Sequence, residues 1–155
     1  MRTGALPIVP MKRSHIPACD AIVAVSEPWK TLRERIDFLK YLSLKQAYVC
    51  LSGGGPAGFI IFTPDPVFAR GGYIRAVGVA PAMRRLGIGT RLIGFAESET
   101  ARRSPNLYLC VSSFNRQGLN FYKECGYIRV GKIPGLIHPD ASEHILWKRL
   151  PRGKT

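Results

Sequence analysis

Residues 84–90 combine two arginines with two glycines where a predicted strand gives way to a predicted helix. A strand-like run over 73–79 precedes this segment, and an amphipathic run over 88–103 follows it. The first N–H groups of a helix lack partners within the helix, and the helix dipole makes that end positive. Glycine lets an anion approach the backbone closely, so the segment suits a phosphate or pyrophosphate. The same pattern also fits a basic loop ahead of an ordinary helix.

A second group with chemical capability lies on the next predicted helix, 115–125. Asn115 comes directly after a strand, and Tyr122 lies two turns further along the helix, so both side chains project to nearly the same face. A tyrosine hydroxyl can donate a proton to a leaving group. Each residue also has an ordinary structural interpretation, Asn115 as a helix cap and Tyr122 as a packing aromatic.

Together the two groups resemble the GNAT superfamily of acetyl-CoA-dependent N-acetyltransferases. The motifs that carry the resemblance are Val-x-Pro-x-x-Arg-x-x-Gly-x-Gly from Val79 and, after a strand, Asn-x-x-Gly-x-x-Phe-Tyr-x-x-x-Gly-Tyr from Asn115. The match covers about 72–130 motif by motif, and the remainder agrees by the order of its elements. Both motifs occur in the expected order and at the expected separation, which makes the resemblance specific.

The resemblance implies a site for acetyl-CoA as cosubstrate. Backbone groups of 77–79 would pair with the pantetheine arm, N–H groups of 85–90 would hold the pyrophosphate, and Asn115 would contact the arm. Tyr122 would be the catalytic residue that protonates the leaving thiolate. The cofactor-binding residues implied in this way are Val77, Gly78, Val79, Arg84, Arg85, Leu86, Gly87, Ile88, Gly89, Thr90 and Asn115.

The implied reaction is direct transfer of an acetyl group to an amine, and it needs a proton acceptor. A lysine-type amine has a pKa near 10.4, so it is mostly protonated at neutral pH. Some family members that acetylate protein N-termini carry a glutamate on the strand before the asparagine, but the matching residue here is Cys110. A covalent acetyl-cysteine route is disfavoured, because the neighbours of Cys110 are apolar and no histidine is nearby in sequence. The acceptors left open are His138, Ser112, Ser113 and ordered water, and the N–H of Val79 is a candidate to polarise the carbonyl.

Apolar spacing and turn residues indicate the elements that position these groups. Thr31 and Glu34 fit a capping box at the start of one helix, and Pro64-Asp65-Pro66 predicts a break in the chain. The predicted helices cover 16–25, 31–42, 88–103 and 115–125. The predicted strands cover 46–51, 58–62, 72–79, 106–111, 127–132 and 143–149.

The order of these elements predicts a mixed α/β fold. Combined with the resemblance, it gives a GNAT-like, mostly antiparallel central sheet of about six to seven strands flanked by about four helices. One N-acetyltransferase domain is expected over 1–155. The glycine-rich segment 52–56 lacks the Gly-Lys-Ser/Thr ending of a P-loop, and 87–92 lacks the third glycine of a dinucleotide fingerprint.

The composition favours an acidic partner. Lys and Arg number 23 and Asp and Glu 10, which gives a formal charge of +13 and suits a polyanionic cofactor, an anionic surface or nucleic acid. The alternative to an enzyme is therefore a non-catalytic acyl-CoA-sensing or nucleic-acid-binding protein on the same fold. Nucleic acid is the less favoured partner, because the chain has neither a zinc-finger pattern nor the aromatic and basic motif of an RNA-binding sheet.

Cysteine usage and hydropathy bear on location. The four cysteines form no CxxC pair and the three histidines are scattered, so no metal site is expected. Cys50 and Cys110 lie in apolar runs and are expected to be small buried residues. No apolar run approaches the roughly 18–20 residues that span a membrane, and 1–7 lack the features of a secretion signal. A cytoplasmic protein without a membrane partner is expected, and a homodimer is left open.

The acceptor is the least determined part of the function. Its specificity is expected from the first two helices, 16–42, and from the late loop, 133–141. Aromatic candidates for an acceptor pocket are Trp29, Phe38 and Tyr41. Acidic residues that could offset the positive charge are Glu27, Glu34 and Asp37. Peptide, antibiotic and small metabolite amines all remain open, and Phe38 also fits simple core packing.

Overall fold

Residues 6–152 are described by the structure, which is a computed structural model. Its helices are α1 (Ile16–Ala24), α2 (Trp29–Leu32), α3 (Phe38–Ser43), α4 (Ile88–Ala101) and α5 (Arg116–Glu124). Its strands are β1 (Ile8–Pro10), β2 (Ala47–Ser52), β3 (Gly55–Phe68), β4 (Gly71–Val79), β5 (Asn106–Ser112), β6 (Ile128–Pro134) and β7 (Ser142–Arg149). The predicted absence of a secretion signal concerns 1–7, of which 1–5 lie outside the described residues.

The strands are hydrogen-bonded in the order β1-β2-β3-β4-β5-β7-β6, and β4 and β5 are the parallel neighbours. This arrangement confirms the predicted mixed, mostly antiparallel sheet, and α1 to α5 come to five helices among the described residues. The short strand β1 is an addition that the sequence did not predict. Within the described residues, no helix is long and apolar enough to cross a membrane.

The chain divides into two compact units, each built around its own part of the sheet. The first unit comprises 6–62 and 76–96, and the second comprises 63–75 and 97–152, as far as the structure describes them. β3, β4 and α4 each contribute residues to both units. Whether the chain acts as one domain stays a prediction.

The first unit packs α1 and α3 on the strands β1, β2 and the start of β3. β1 pairs antiparallel with β2, and β2 pairs antiparallel with β3 through the turn at Gly53 and Gly54. Phe59 is fully buried at the centre, where the ring of Phe38 meets it edge to face at 5.0 Å between centroids. Such aromatic contacts add to the free energy gained from burying apolar area.

The predicted helix over 31–42 is wrong, because two short helices replace it. α2 ends at Arg33, whose φ of 55° is left-handed, and α3 begins only after Asp37. The predicted capping box is also absent: the Thr31 N–H donates to the Glu27 carboxylate at 2.9 Å, while Asp37 caps α3 by accepting from the Lys40 N–H at 3.2 Å. The apolar spacing that suggested one helix does not match the observed burial, because Leu39 of that period is 48% exposed whereas Phe38 is buried.

The predicted break at Pro64-Asp65-Pro66 is also wrong, since β3 runs through it to Phe68. Prolines at alternate positions of a strand remove N–H groups from the same edge, so the opposite edge can still form hydrogen bonds. Asp65 is held by an ion pair with Arg103 in the second unit.

The second unit joins β5 to neighbours on both sides. β5 pairs in parallel with β4, with Gly72–Ile74 opposite Leu107–Leu109. β5 also pairs antiparallel with β7, from Asn106 opposite Arg149 to Ser112 opposite Glu143. β5 therefore occupies the central position expected for an apolar strand. α5 ends before Gly126, whose φ of 96° closes the helix as predicted.

Candidate active site

The segment 84–90 of the first unit forms an open, basic loop at the start of α4. Arg85 and Gly87 have left-handed φ values of 64° and 80°, and a side chain at Gly87 would meet nothing within 4 Å. After Arg84, the next backbone N–H that donates to a carbonyl among the described residues is that of Arg91, to Gly87 at 3.0 Å. The N–H groups of 85–90 thus have no acceptor in the described part of the chain.

The two arginines of this loop differ in their roles. The Arg84 Nε donates to the Val79 carbonyl at 3.2 Å, and its Nη2 donates to the Ser26 hydroxyl at 3.0 Å. Ser26 is buried and in turn donates to the Ile22 carbonyl at 2.6 Å. Arg84 therefore ties the loop to β4 and α1, whereas the exposed Arg85 has no side-chain partner among the described residues.

The end of β4 presents backbone groups alternately to its two sides. The Ala80 N–H donates to the Ala57 carbonyl of β3 at 2.8 Å, so the N–H of Gly78 faces the same way. The groups of Val77 and Val79 face the opposite side, where the Val79 carbonyl accepts from Arg84. Gly78 is required here, because a Cβ would come within 2.5 Å of the Phe59 ring.

In the second unit, Asn115 is the N-cap of α5. Its Oδ1 accepts from the Gly118 N–H at 3.0 Å, and its own N–H donates to the Ser112 carbonyl at 2.9 Å. A Cβ at Gly118 would lie 2.6 Å from the Asn115 Nδ2, so a larger residue there would require the Asn115 side chain to shift. The capping role is therefore real, and it leaves the Nδ2 group without an acceptor among the described residues.

Tyr122 lies on α5 with its ring against Phe121 and Tyr127, at centroid distances of 5.1 and 5.9 Å. Burial raises the pKa of its hydroxyl, and the nearby Cys125 thiol raises it further, so the group is protonated at neutral pH. No hydrogen-bond partner for this hydroxyl exists among residues 6–152. Since it is not one of the fully enclosed unpaired atoms there, it keeps contact with solvent.

A cluster that the sequence did not predict lies where β4, β5 and β7 run side by side. Ser112 and Glu143 are opposite each other in the β5–β7 register, are 2% and 5% exposed, and are joined by a hydrogen bond from the Ser112 hydroxyl to Glu143 Oε1. Cys110 shares this face of β5, and its thiol interacts with the Tyr73 hydroxyl. Reasoning along the sequence missed Glu143 because only strand register brings it beside 110–112.

The ionisation of this cluster disfavours a nucleophilic cysteine. Burial raises the pKa of the Cys110 thiol, and the Glu143 charge raises it further against the opposing effect of Tyr73. Burial likewise raises the pKa of the Tyr73 hydroxyl. Both groups are therefore protonated at neutral pH, while a reactive cysteine needs its thiolate form.

The remaining candidates for proton acceptor have local structural partners. The Nδ1 of His138 accepts from the Asp140 N–H at 3.1 Å in an exposed turn. The Ser113 hydroxyl accepts from the Ser142 N–H at 3.0 Å. Both contacts order the chain around β7.

The first unit contains a cavity of about 720 Å³ beside α1 and α2. Of the aromatic residues expected to form an acceptor pocket, Trp29 lines it, whereas Phe38 is buried in the core. Asp20 and Glu34 line this cavity, whereas Glu27 accepts from the Thr31 N–H and Asp37 caps α3. The expected acidic patch of Glu27, Glu34 and Asp37 is therefore largely occupied by local structure.

Comparison with protein families gives one match that covers most of the chain. The profile described as the acetyltransferase (GNAT) family matches residues 14–127. This segment contains both motifs from which the resemblance was drawn, from Val79 and from Asn115. It ends before β6 and β7, so Glu143 lies outside it.

Solved structures show the same fold. Ard1 from Thermoplasma volcanium is 18% identical over 94% of this chain and 97% of that chain, with a TM-score of 0.76. The ribosomal-protein-S18-alanine N-acetyltransferase from Escherichia coli is 18% identical over 96% and 95%, with a TM-score of 0.69. A protein assigned as a streptothricin acetyltransferase from Bacillus anthracis, crystallised with acetyl coenzyme A, is 22% identical over 77% and 72%, with a TM-score of 0.66.

Proposed function

Because the chain belongs to the acetyltransferase (GNAT) family, and is thus an acetyl-CoA-dependent N-acetyltransferase, we propose which of its residues carry out the transfer. The pyrophosphate of acetyl-CoA binds to the N–H groups of 85–90, with Arg85 adding a free positive charge. The observation that carries this proposal is the run of unpaired N–H groups at a helix start. Arg84 has a different role from Arg85, since its contacts hold the loop in shape.

The pantetheine arm pairs with backbone groups at the end of β4. Gly78 faces β3, so the outward groups of Val77 and the N–H of Val79 supply these hydrogen bonds. The Val79 N–H also polarises the thioester carbonyl, because a donor aimed at the developing oxyanion stabilises the transition state. Asn115 contacts the arm through its unpaired Nδ2 group, while its Oδ1 remains the helix cap.

Tyr122 protonates the thiolate that leaves. Its hydroxyl is protonated at neutral pH, has no internal partner in the described chain and reaches solvent, which are the properties that a proton donor needs. The amine nitrogen attacks the carbonyl carbon, the carbon–sulfur bond breaks, and the sulfur receives the tyrosine proton. Solvent then returns a proton to Tyr122.

The acceptor class that we test first is the α-amine of a peptide. The solved structures aligned over nearly the whole of this chain include a ribosomal-protein-alanine acetyltransferase, whereas the streptothricin relative aligns over 77% of it. An α-amine has a pKa of about 7.7–8, so a larger fraction is unprotonated at neutral pH than for a lysine side chain. Free thiols at all four cysteines also suit the cytoplasmic location expected from the sequence.

Binding of acetyl-CoA is the first test. Titration should raise the midpoint of thermal unfolding, since a ligand at 100 times its Kd stabilises the native state by about 2.7 kcal/mol. An unchanged midpoint at millimolar acetyl-CoA contradicts the proposal. Salt-dependent binding of DNA or RNA that acetyl-CoA does not displace, without acetyl transfer to any amine, would favour the non-catalytic alternative.

Tyr122→Phe tests the proton donor. Acetyl-CoA affinity should stay within about twofold, because the hydroxyl acts only on the leaving group. The kcat should fall about 10²-fold, the lower end of what proton transfer contributes. Tyr127→Phe is the matched control: it removes a hydroxyl from the same aromatic cluster, where Tyr127 donates to Glu97 at 2.9 Å, and it should affect stability more than kcat. Equal kcat for Tyr122→Phe and the unmodified chain across pH would exclude the role.

A further inference from the structure

Acetyl transfer to an amine requires an acceptor for the protons that nitrogen loses. An ammonium must lose one proton before it attacks and a second as the amide forms. The nitrogen loses two protons and the leaving sulfur gains one, so each turnover releases one proton to solvent. Of the side-chain acceptors suggested by the sequence, His138 and Ser113 are engaged in turns, and the Ser112 hydroxyl donates to Glu143.

Glu143 has the chemistry and the placement that those residues lack. Oε1 accepts from the Ser112 hydroxyl, which fixes the orientation of the carboxylate. Thr100 Oγ1 is the one fully enclosed, unpaired side-chain nitrogen or oxygen among the described residues. Glu143 Oε2 also accepts no hydrogen bond from the described residues, but unlike Thr100 Oγ1 it is not fully enclosed. This second oxygen therefore keeps contact with solvent and is free to accept a proton.

Ser112 connects this carboxylate to the start of α5. Its hydroxyl donates to Glu143, and its carbonyl accepts from the Asn115 N–H at 2.9 Å. Asn115 is the residue proposed to contact the pantetheine arm, and Tyr122 lies on the helix that it caps. Ser112 of β5 therefore links the Glu143 carboxylate of the neighbouring strand β7 to Asn115, the N-cap of the helix that carries Tyr122.

The surroundings keep Glu143 available as a base. No cation forms an ion pair with it in the described chain, whereas Glu97 of the same unit pairs with Lys148 at 3.0 Å. The neighbouring Cys110 and Tyr73 are both protonated at neutral pH, so neither supplies a competing negative charge. Glu143 is thus mostly buried, accepts a hydrogen bond from one neutral donor and forms no ion pair among the described residues.

We infer that Glu143 is the proton acceptor for the attacking amine, an inference that rests on the proposed function. The ammonium nitrogen gives its proton to Oε2, and the resulting free amine attacks the thioester carbonyl. As the amide forms and the carbon–sulfur bond breaks, Tyr122 protonates sulfur and the nitrogen loses its second proton to water. The proton on Glu143 returns to solvent, which restores the carboxylate.

Glu143→Gln is the direct test, with an alanyl peptide and with hydroxylamine as acceptors. Hydroxylamine is already unprotonated at pH 7 and does not need a base before it attacks. We expect kcat/KM for the peptide at pH 7 to fall about 10²-fold, and the deficit to shrink as pH rises and the amine loses its proton. With hydroxylamine, the deficit at pH 7 should be at most about threefold. Acetyl-CoA affinity should stay within about twofold.

Two further variants separate catalysis from folding. Glu97→Gln makes the same change at a carboxylate of the same unit that has only structural partners, and its kcat/KM should be unchanged even if its stability falls. Glu143→Asp restores the carboxylate one carbon shorter and should recover at least tenfold of the lost peptide activity. It also serves as the test if Glu143→Gln does not fold.

The outcomes distinguish this inference from the proposed function. If the unmodified chain acetylates the peptide and Glu143→Gln does so equally well at every pH, the inference is overturned while the function stands. An equal, pH-independent deficit with both acceptors also overturns it, because that pattern indicates a structural role. A chain that fails to bind acetyl-CoA overturns the proposed function first, and the inference with it.

Discussion

The loop over 84–90 and the cluster around Glu143 represent two ways of building a reactive region. The loop offers backbone N–H groups, and its shape follows from neighbouring residues: two left-handed φ values, a helix start and the contacts of Arg84. The cluster offers side chains from β4, β5 and β7, and Ser112 and Glu143 are 31 positions apart in sequence. The first kind of region can be found by reading along the chain, whereas the second requires the register of the strands.

This difference predicts how each region responds to substitution. The cluster should be sensitive to the identity of a single side chain, since its chemistry depends on particular atoms. The loop should be sensitive to backbone conformation and less sensitive to side-chain identity. The largest expected effect is that of Glu143→Gln given above, and smaller effects follow from the neighbours of each region.

Ser112→Ala should lower kcat/KM for the peptide about 10–30-fold at pH 7. The change leaves Glu143 Oε1 without its donor, and a lost hydrogen bond to a charged group costs about 1.5–3 kcal/mol. Acetyl-CoA affinity should not change. Ser113→Ala is the matched control on the next residue, because its hydroxyl accepts from Ser142 and does not contact Glu143. A similar loss of activity in both variants would mean that the cluster matters only for folding.

Gly87→Ala should weaken acetyl-CoA binding about tenfold. Its φ of 80° is unfavourable for a residue with a Cβ by about 1–2 kcal/mol, so the loop would relax and misalign its N–H groups. Gly53→Ala is the control: that glycine has a φ of 49° and equally open surroundings, but it lies in the β2–β3 turn. Calorimetry should show normal affinity for Gly53→Ala, and normal affinity for both variants would contradict the role of the loop.

The smallest effects should come from the arginines of the loop, and they should differ in kind. Arg85→Ala should weaken acetyl-CoA binding about threefold at low salt, and the difference should vanish at high salt because an exposed charge is screened. Arg84→Ala should lower the free energy of unfolding by about 1–2 kcal/mol through the loss of its two hydrogen bonds. The reverse pattern, with stability lost at Arg85 and salt-sensitive binding at Arg84, would contradict their assigned roles.

The sequence predicted best those elements whose pattern is long and whose ends carry clear signals. The predicted strand over 72–79 and the predicted helices over 88–103 and 115–125 agree with β4, α4 and α5 within two residues at each end. The prediction of one helix over 31–42 is wrong because Arg33 adopts a left-handed backbone conformation, which no neighbouring residue type indicates. β3 extends beyond its predicted end at Phe62, because prolines at alternate positions remove hydrogen-bond donors from only one edge of the strand.

Within the candidate site, the sequence by itself determined the chemistry that depends on local backbone geometry. Gly87 and the start of α4 predict an anion-binding loop. Helical periodicity predicts that Asn115 and Tyr122, seven positions apart, lie on nearly the same face of one helix. Tertiary structure alone decided that Arg84 supports the loop through Ser26, and that Glu143 lies opposite Ser112 with one oxygen bound and the other open. The physical reason is that helical spacing and capping act over a few residues, whereas strand register depends on the packing of segments far apart in the chain.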